Sequence, residues 1–379
     1  MHTSPKKIMV VTGETSGDHH GAGVVTALRE TQPRISVCGI GGEELEKSGM
    51  ELLYHSRYLS VVGIFEVLAS FSHIYRAFRA VKQRLITDPP NLLILIDYPD
   101  FNLRIAKIAH RLKIPVLYYI SPQIWAWRQG RAKKIARIVD RMAVIFPFET
   151  ALYEKAGLPV TFVGHPLMDK DLARASKVTV LPGLEKTAGP TIGLLPGSRK
   201  GEVDRLLPTL LQSAEIIKKE IPDANFVIPA APALDRKHLD RLLSRAALDP
   251  VVTENRFYET LNTCDFAIVA SGTATLETAV MQVPMVIIYK VTFLTYLIGK
   301  IMIRVPFIGL ANLVAGKKVV PELIQGDAVP EKIAAEATAI LKNRNRCEKI
   351  KEELRSVKKA LGETGAAKKV AMLARDMLE

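Results

Sequence analysis

The strongest constraint this sequence places on its fold is a rhythm. Short apolar runs alternate with longer segments of helical periodicity, and the pattern stops once and starts again. In the first half, runs at 7–12, 35–40, 92–97, 115–120, 141–146 and 160–163 read as strands, with helical segments near 20–31, 64–86, 102–112, 128–138 and 148–156 between most of them. After a stretch holding Pro166, Pro182, Gly183, Gly189 and Pro190, strand-like runs at 191–195, 225–229, 266–270 and 284–289 alternate with helical patterns at 202–220, 235–246, 273–282 and 330–342. Strands alternating with helices at this spacing make βαβ units and a parallel sheet covered on both faces. The expectation is an α/β chain of two Rossmann-like, doubly wound domains, 1–165 and 191–360, joined by a linker at 166–190. Two such domains set a central cleft between the carboxyl ends of their sheets, and ligands of these folds bind at strand ends. The tail, 345–379, reads as one or two charged amphipathic helices.

Composition narrows the class. With 48% hydrophobic residues among 379, a sizeable core forms and a disordered chain is excluded. The net charge of +13 favours anionic partners. It is uneven: residues 101–139 contain no Asp or Glu but hold Arg104, Lys107, Arg111, Lys113, Arg128, Arg131, Lys133, Lys134 and Arg137, and 278–321 is also acid-free. Cys38, Cys264 and Cys347 are too few and too scattered for a disulfide framework or a zinc site, which fits a reducing compartment. The apolar run at Ile8–Val11 is too short for a signal-peptide core, and Lys300 and Arg304 interrupt the longest apolar stretch, Val291–Leu313.

The segments after the strands carry the chemistry. The first is Gly13-Glu14-Thr15-Ser16-Gly17-Asp18, a Gly/Ser turn into a helix start, where free N–H groups and the dipole favour anionic or hydroxyl groups. Glu14 and Ser16 are candidates for sugar-hydroxyl contacts. The second ends the run Leu92–Ile96 at Asp97, a carboxylate suited to general-base work; Asp100 or Asn102 is expected to cap the following helix. The third, Ser121-Pro122-Gln123-Ile124-Trp125-Ala126-Trp127-Arg128, holds both tryptophans, which serve packing, a sugar face or a lipid interface. The fourth, Pro196-Gly197-Ser198-Arg199, places an arginine in a Gly/Ser turn and is the best diphosphate candidate. The fifth, Ser271-Gly272-Thr273-Ala274, opens another helix, one turn into which Glu277 either accepts from ribose hydroxyls or favours the dipole. Asn312 and Gln325 lie in apolar surroundings and either satisfy local backbone or reach the cleft. Three such loops on two α/β domains suit a nucleoside diphosphate sugar. With no Asp-x-Asp pair at a strand end, the diphosphate charge is expected to be met by Arg199 and helix N-termini, with no obligatory metal and no cofactor.

Residues 64–85 place Ile64, Phe65, Val67, Leu68, Phe71, Ile74, Tyr75, Phe78, Val81 and Leu85 at spacings of three and four, with Arg76 and Arg79 off the stripe. This is an amphipathic helix, read either as core packing or as an interfacial element that admits an acyl substrate and holds acidic headgroups.

The ordered set of Gly13-Glu14-x-Ser16-Gly17-Asp18, Asp97-x-Pro99-Asp100-Phe101-Asn102, Ser121-Pro122-x-x-Trp125-Ala126-Trp127-Arg128, Leu195-Pro196-Gly197-Ser198-Arg199, Ser271-Gly272-Thr273-Ala274-x-Leu276-Glu277 and Asn312-Leu313-x-Ala315-Gly316 resembles the lipid-A-disaccharide synthase family over nearly the whole chain. The resemblance implies the GT-B fold, with the terminal helix, 361–379, packing back on the first domain. It implies an inverting transfer of 2,3-diacylglucosamine from UDP to 2,3-diacylglucosamine 1-phosphate (lipid X), at the cytoplasmic face of a Gram-negative inner membrane. It also marks the aspartate at Asp97 and the arginine at Arg199 as functionally important. His19 and His20 lie outside the signature. Two other readings are a UDP-N-acetylglucosamine 2-epimerase-like enzyme of the same fold and a basic nucleic-acid-binding protein; a homodimer is compatible with all three.

Overall fold

The computed structural model describes residues 5–59, 66–170, 181, 183–184, 189–232, 234–302 and 305–379, without the side chains of 66–71, 293–294, 298 and 301–302. Two compact units emerge: 1–169 with 361–379, and 170–360.

The first unit carries seven strands, β1 (Lys7–Thr12), β2 (Ser36–Gly41), β3 (Glu51–His55), β4 (Leu92–Ile96), β5 (Val116–Tyr119), β6 (Arg141–Val144) and β7 (Val160–Phe162). They form one all-parallel sheet in the order β3-β2-β1-β4-β5-β6-β7. The order reverses at β1/β4, so the ends of those two strands border a switch point, where such sheets bind ligands. β1, β4 and β5 are buried at nearly every residue because helices cover both faces.

Met9, Leu93, Leu95, Val116 and Met142 share one core with Ala77, Val81 and Leu85 of the helix Glu66–Thr87, Ile105 and Ala109 of the helix Pro99–Arg111, and Ile124, Ala132 and Ile135. These connections advance in one direction along the sheet, and right-handed crossovers place them on one face. The opposite face is covered by the helix Thr15–Thr31 and the C-terminal helix Ala366–Leu378. Hydrogen bonds from the His165 N–H to the Leu361 carbonyl (2.8 Å) and from Lys6 Nζ to the Leu378 carbonyl (2.7 Å) hold the returning tail.

The second unit has six parallel strands, β8 (Thr191–Leu195), β9 (Asn225–Ala230), β10 (Val251–Glu254), β11 (Phe266–Ala270), β12 (Met285–Tyr289) and β13 (Glu322–Ile324), in the order β10-β9-β8-β11-β12-β13. Its switch point lies at β8/β11. Both units are thus doubly wound and Rossmann-like.

Three strands, β3, β10 and β13, have no counterpart in the sequence reading. They are the edges of their sheets, are short and only partly buried, and so lack an all-apolar run. The expected helix 128–138 is instead two short helical turns, Gln129–Arg131 and Ala132–Ile135, preceded by another at Ile124–Trp127. Among the described residues no helix is long and apolar enough to cross a membrane.

Candidate active site

In the first unit, β1 delivers Gly13 to a turn that no larger residue fits. A Cβ there would lie 2.4 Å from the Tyr98 ring. Glu14 and Ser16 are exposed at the head of the helix Thr15–Thr31. Asp18, from the same motif, turns inward: its carboxylate accepts from the backbone N–H of Gly42 (2.6 Å), Glu44 (3.0 Å) and Leu45 (3.2 Å), pinning the start of the next helix.

Asp97 follows β4 directly. Both Asp97 and Tyr98 adopt the left-handed backbone region, with φ of 47° and 48°. Left-handed non-glycine residues are strained, and such strain persists only where neighbours over-determine it. Here the Asp97 carbonyl accepts from the Tyr118 hydroxyl (2.6 Å) and from Asn102 Nδ2 (2.7 Å), while the Asp97 N–H donates to the Tyr119 carbonyl (3.0 Å). Asn102 is fully buried and also donates to the Ile96 carbonyl (3.2 Å). It therefore ties down the strand end rather than capping the helix, and Tyr98 occupies the cap position with no side-chain cap bond. Burial, and secondarily the Glu14 carboxylate, raise the Asp97 pKa to about 6, against a backbone hydrogen bond that lowers it.

Beside this strand end lies an apolar cavity of about 540 Å³, bounded by Ile74, Phe78, Tyr98, Phe101 and Arg104. Ile64 and Phe65, and the side chains of Val67, Leu68 and Phe71, lie outside the described residues. Arg76 and Arg79 are exposed. Tyr75 leaves the buried stripe and is 65% exposed, because the stripe narrows to Ala77, Val81 and Leu85 where the helix meets the sheet.

Glu149 joins the first unit's site without a mark among the strand-end motifs. It is 1% exposed and accepts from Ser121 Oγ (2.5 Å) and the Phe146 N–H (3.0 Å), linking the segments after β5 and β6. Burial pushes its carboxyl up to about 7 against these bonds. Locally Pro147-Phe148-Glu149 reads only as a helical turn with Glu149 at its third position; its burial against Ser121 comes through space. The two tryptophans separate: Trp125 is buried against Phe146 and Phe148, whereas Trp127 is 41% exposed with the Arg128 guanidinium 3.9 Å from its ring centre.

In the second unit a cavity of about 760 Å³ opens at the carboxyl ends of β8 to β11. It brings Gly197, Ser198 and Arg199 together with Ser271, Gly272, Thr273, Ala274 and Glu277. Gly197 has φ of 107°, which only glycine adopts freely. The Arg199 side chain is 83% exposed, with Glu202 3.7 Å away as its ion-pair partner. The Glu277 carboxylate accepts from the Tyr258 hydroxyl and lies 3.4 Å from Lys170 Nζ, which in turn donates to Tyr258 (2.6 Å). Tyr258 and Lys170 lie outside every strand-end motif, and only the fold brings them to the pocket beside Glu277.

Asn312 and Gln325 are both hydrogen-bonded within the second unit. Asn312 is fully buried: Oδ1 accepts from Val319 and Val320, while Nδ2 donates to the Val320 carbonyl and to Glu322. Gln325 exchanges two hydrogen bonds with the Val291 backbone (2.7 and 3.0 Å). Both polar ends of each side chain are thus engaged, by backbone and, for Asn312, also by the Glu322 carboxylate. Among the described residues there is no group of three His, Cys, Asp or Glu placed to hold a metal ion.

A protein-family model described as "Lipid-A-disaccharide synthetase" matches residues 8–376. The chain belongs to this family. The lipid-A-disaccharide synthase of Geobacter sulfurreducens is 48% identical over 98% of this chain and 97% of that protein. The proteins of the same name from Nitrosococcus oceani and Myxococcus xanthus are 44% and 42% identical over nearly full length. Membership makes the chain a glycosyltransferase of lipid A disaccharide synthesis, and it does not favour the epimerase reading. Solved structures similar in fold include the glycotransferase of kitacinnamycin (TM-score 0.64, 14% identity, 99% of this chain and 100% of that one). Another is the UDP-GlcNAc 2-epimerase of Neisseria meningitidis (TM-score 0.64, 14% identity, 94% and 97%). At such identities they establish the GT-B fold alone.

Proposed function

We propose that the chain transfers 2,3-diacylglucosamine from UDP to the 6-hydroxyl of 2,3-diacylglucosamine 1-phosphate, with inversion, giving the β-1,6-linked disaccharide 1-phosphate and UDP. The observation that carries this reading is Asp97: a carboxylate at a switch-point strand end, with a pKa of about 6, next to an apolar cavity of about 540 Å³. Near neutral pH it is ionised yet more basic than an exposed aspartate, which suits removal of a hydroxyl proton as the new C–O bond forms. Glu14 and Ser16 orient the acceptor sugar, and an acyl chain of the acceptor enters the cavity beside Tyr98.

On the donor side, Arg199 and the N–H groups at the head of the helix Thr273–Val280 hold the diphosphate. They stabilise the charge that builds on it as the anomeric bond breaks. Glu277, oriented by Tyr258 and Lys170, takes the ribose. No metal is required in this scheme. The enzyme works at an anionic membrane surface, the inner face of the inner membrane, through the amphipathic segment 64–85 with Arg76 and Arg79. Incubation with UDP-2,3-diacylglucosamine and lipid X, followed by mass spectrometry, tests the reaction. Absence of a disaccharide 1-phosphate product overturns it.

A further inference from the structure

The first unit has two unlike faces. Residues 67–139 contain thirteen Lys or Arg and three Asp. The acids are accounted for: Asp88 pairs with Lys7 and Arg84, Asp97 sits at the strand end, and Asp100 lies in the first turn of its helix. The cations are not. Arg104, Lys107, Arg111 and Lys113 are exposed on and after the helix Pro99–Arg111, and Arg128, Lys133, Lys134 and Arg137 are exposed on the turns that follow β5. Among the described residues none of these eight has a carboxylate partner. The buried sides of these elements share one core with the helix Glu66–Thr87, so their outer sides form one layer over one face of the sheet. The same layer exposes Tyr75, Leu112 and Trp127. The opposite layer mixes its signs, with Glu30, Glu43 and Glu46 exposed among Lys47 and Lys369.

We infer that the whole outer side of this layer, including the Trp127–Arg137 segment beyond the amphipathic helix, is the surface that docks on an anionic lipid bilayer. Charge complementarity carries the assignment. A broad field of unpaired cations attracts acidic headgroups. An exposed indole and isolated apolar side chains within that field suit the headgroup boundary. Docking this way turns the apolar cavity between the helices Glu66–Thr87 and Pro99–Arg111 toward the lipid. The inference rests on the membrane-surface reading above and adds which face is used and how the unit is oriented.

The test is co-sedimentation of the full chain with vesicles of phosphatidylglycerol and phosphatidylcholine, and with phosphatidylcholine alone. The triple variant K133Q/K134Q/R137Q is expected to bind the anionic vesicles roughly 100-fold more weakly, at a several-fold loss per cation. K47Q/K368Q/K369Q, on the opposite face, should bind like the unsubstituted protein. Both variants should keep normal turnover on substrates dispersed in neutral detergent, and brominated lipid should quench a Trp emission that W127F removes. If the unsubstituted protein ignores anionic vesicles, the membrane-surface reading itself fails, and salt-sensitive RNA binding in its place would identify the partner of these cations as nucleic acid. If it binds but the first triple variant binds equally well, this inference alone fails.

Discussion

Asp97→Asn separates chemistry from folding in a single substitution. Asparagine is nearly isosteric and tolerates the left-handed backbone that Asp97 adopts, so the turn survives. It cannot accept a proton from the acceptor hydroxyl. Loss of a positioned base costs about 10²–10⁴ in kcat, which is roughly 3–5 kcal/mol of barrier. Stability moves the other way. The Asp97 pKa is raised from 3.8 to about 6, so the folded state holds its proton more tightly than the unfolded state does. The stability from that proton is fully present below 3.8 and is lost as pH rises through 6. At pH 8 the native carboxylate therefore costs about 3 kcal/mol, from a shift of about two units at 1.36 kcal/mol each. The substituted side chain carries no such charge, so the variant should melt several degrees higher at pH 8, with the gain shrinking toward pH 5. The assay pairs thermal scans at both pH values with steady-state turnover and UDP titration, where affinity should hold. Near-normal turnover refutes the base role. A lower melting point at pH 8 refutes the desolvation argument.

Glu14→Gln removes the charge that helps to raise Asp97, so the acid limb of the kcat/KM profile should move to lower pH; an unmoved limb denies the coupling. Asn102→Ala leaves the Ile96 and Asp97 carbonyls without this partner and should destabilise the fold by about 1–3 kcal/mol, seen in thermal melts, together with a fall in kcat. Tyr258→Phe removes a hydrogen bond to Glu277 and should weaken UDP binding several-fold by calorimetry without moving the acid limb. Turnover should survive exhaustive EDTA treatment; a loss restored by Mg²⁺ would show that the diphosphate needs a metal.

The strand-end motifs were legible because each is local. An apolar run that stops at Asp97, or at Gly197-Ser198-Arg199, announces its own position at the carboxyl edge of a sheet. Their surroundings were not. Asn102 reads as a helix cap because capping is the commonest local use of asparagine, yet its amide reaches back to the Ile96 carbonyl. For Asn312 and Gln325 the sequence leaves two uses open, local backbone or the cleft, and the hydrogen bonds to Val320 and to Val291 appear only in the folded chain. Glu149 shows locally only as the third residue of a helix start that bonds the Phe146 N–H, while its other partner, Ser121, stands 28 residues earlier.

By itself the sequence determined two successive βαβ series, the strand-end loops and the family, because apolar periodicity and turn chemistry act over a few residues. The tertiary structure decided which carboxylates are perturbed, which polar groups are consumed by backbone, and that the unpaired cations gather on one face of the first sheet. Burial, charge coupling and hydrogen bonding act through space, between segments that only the folded chain brings together.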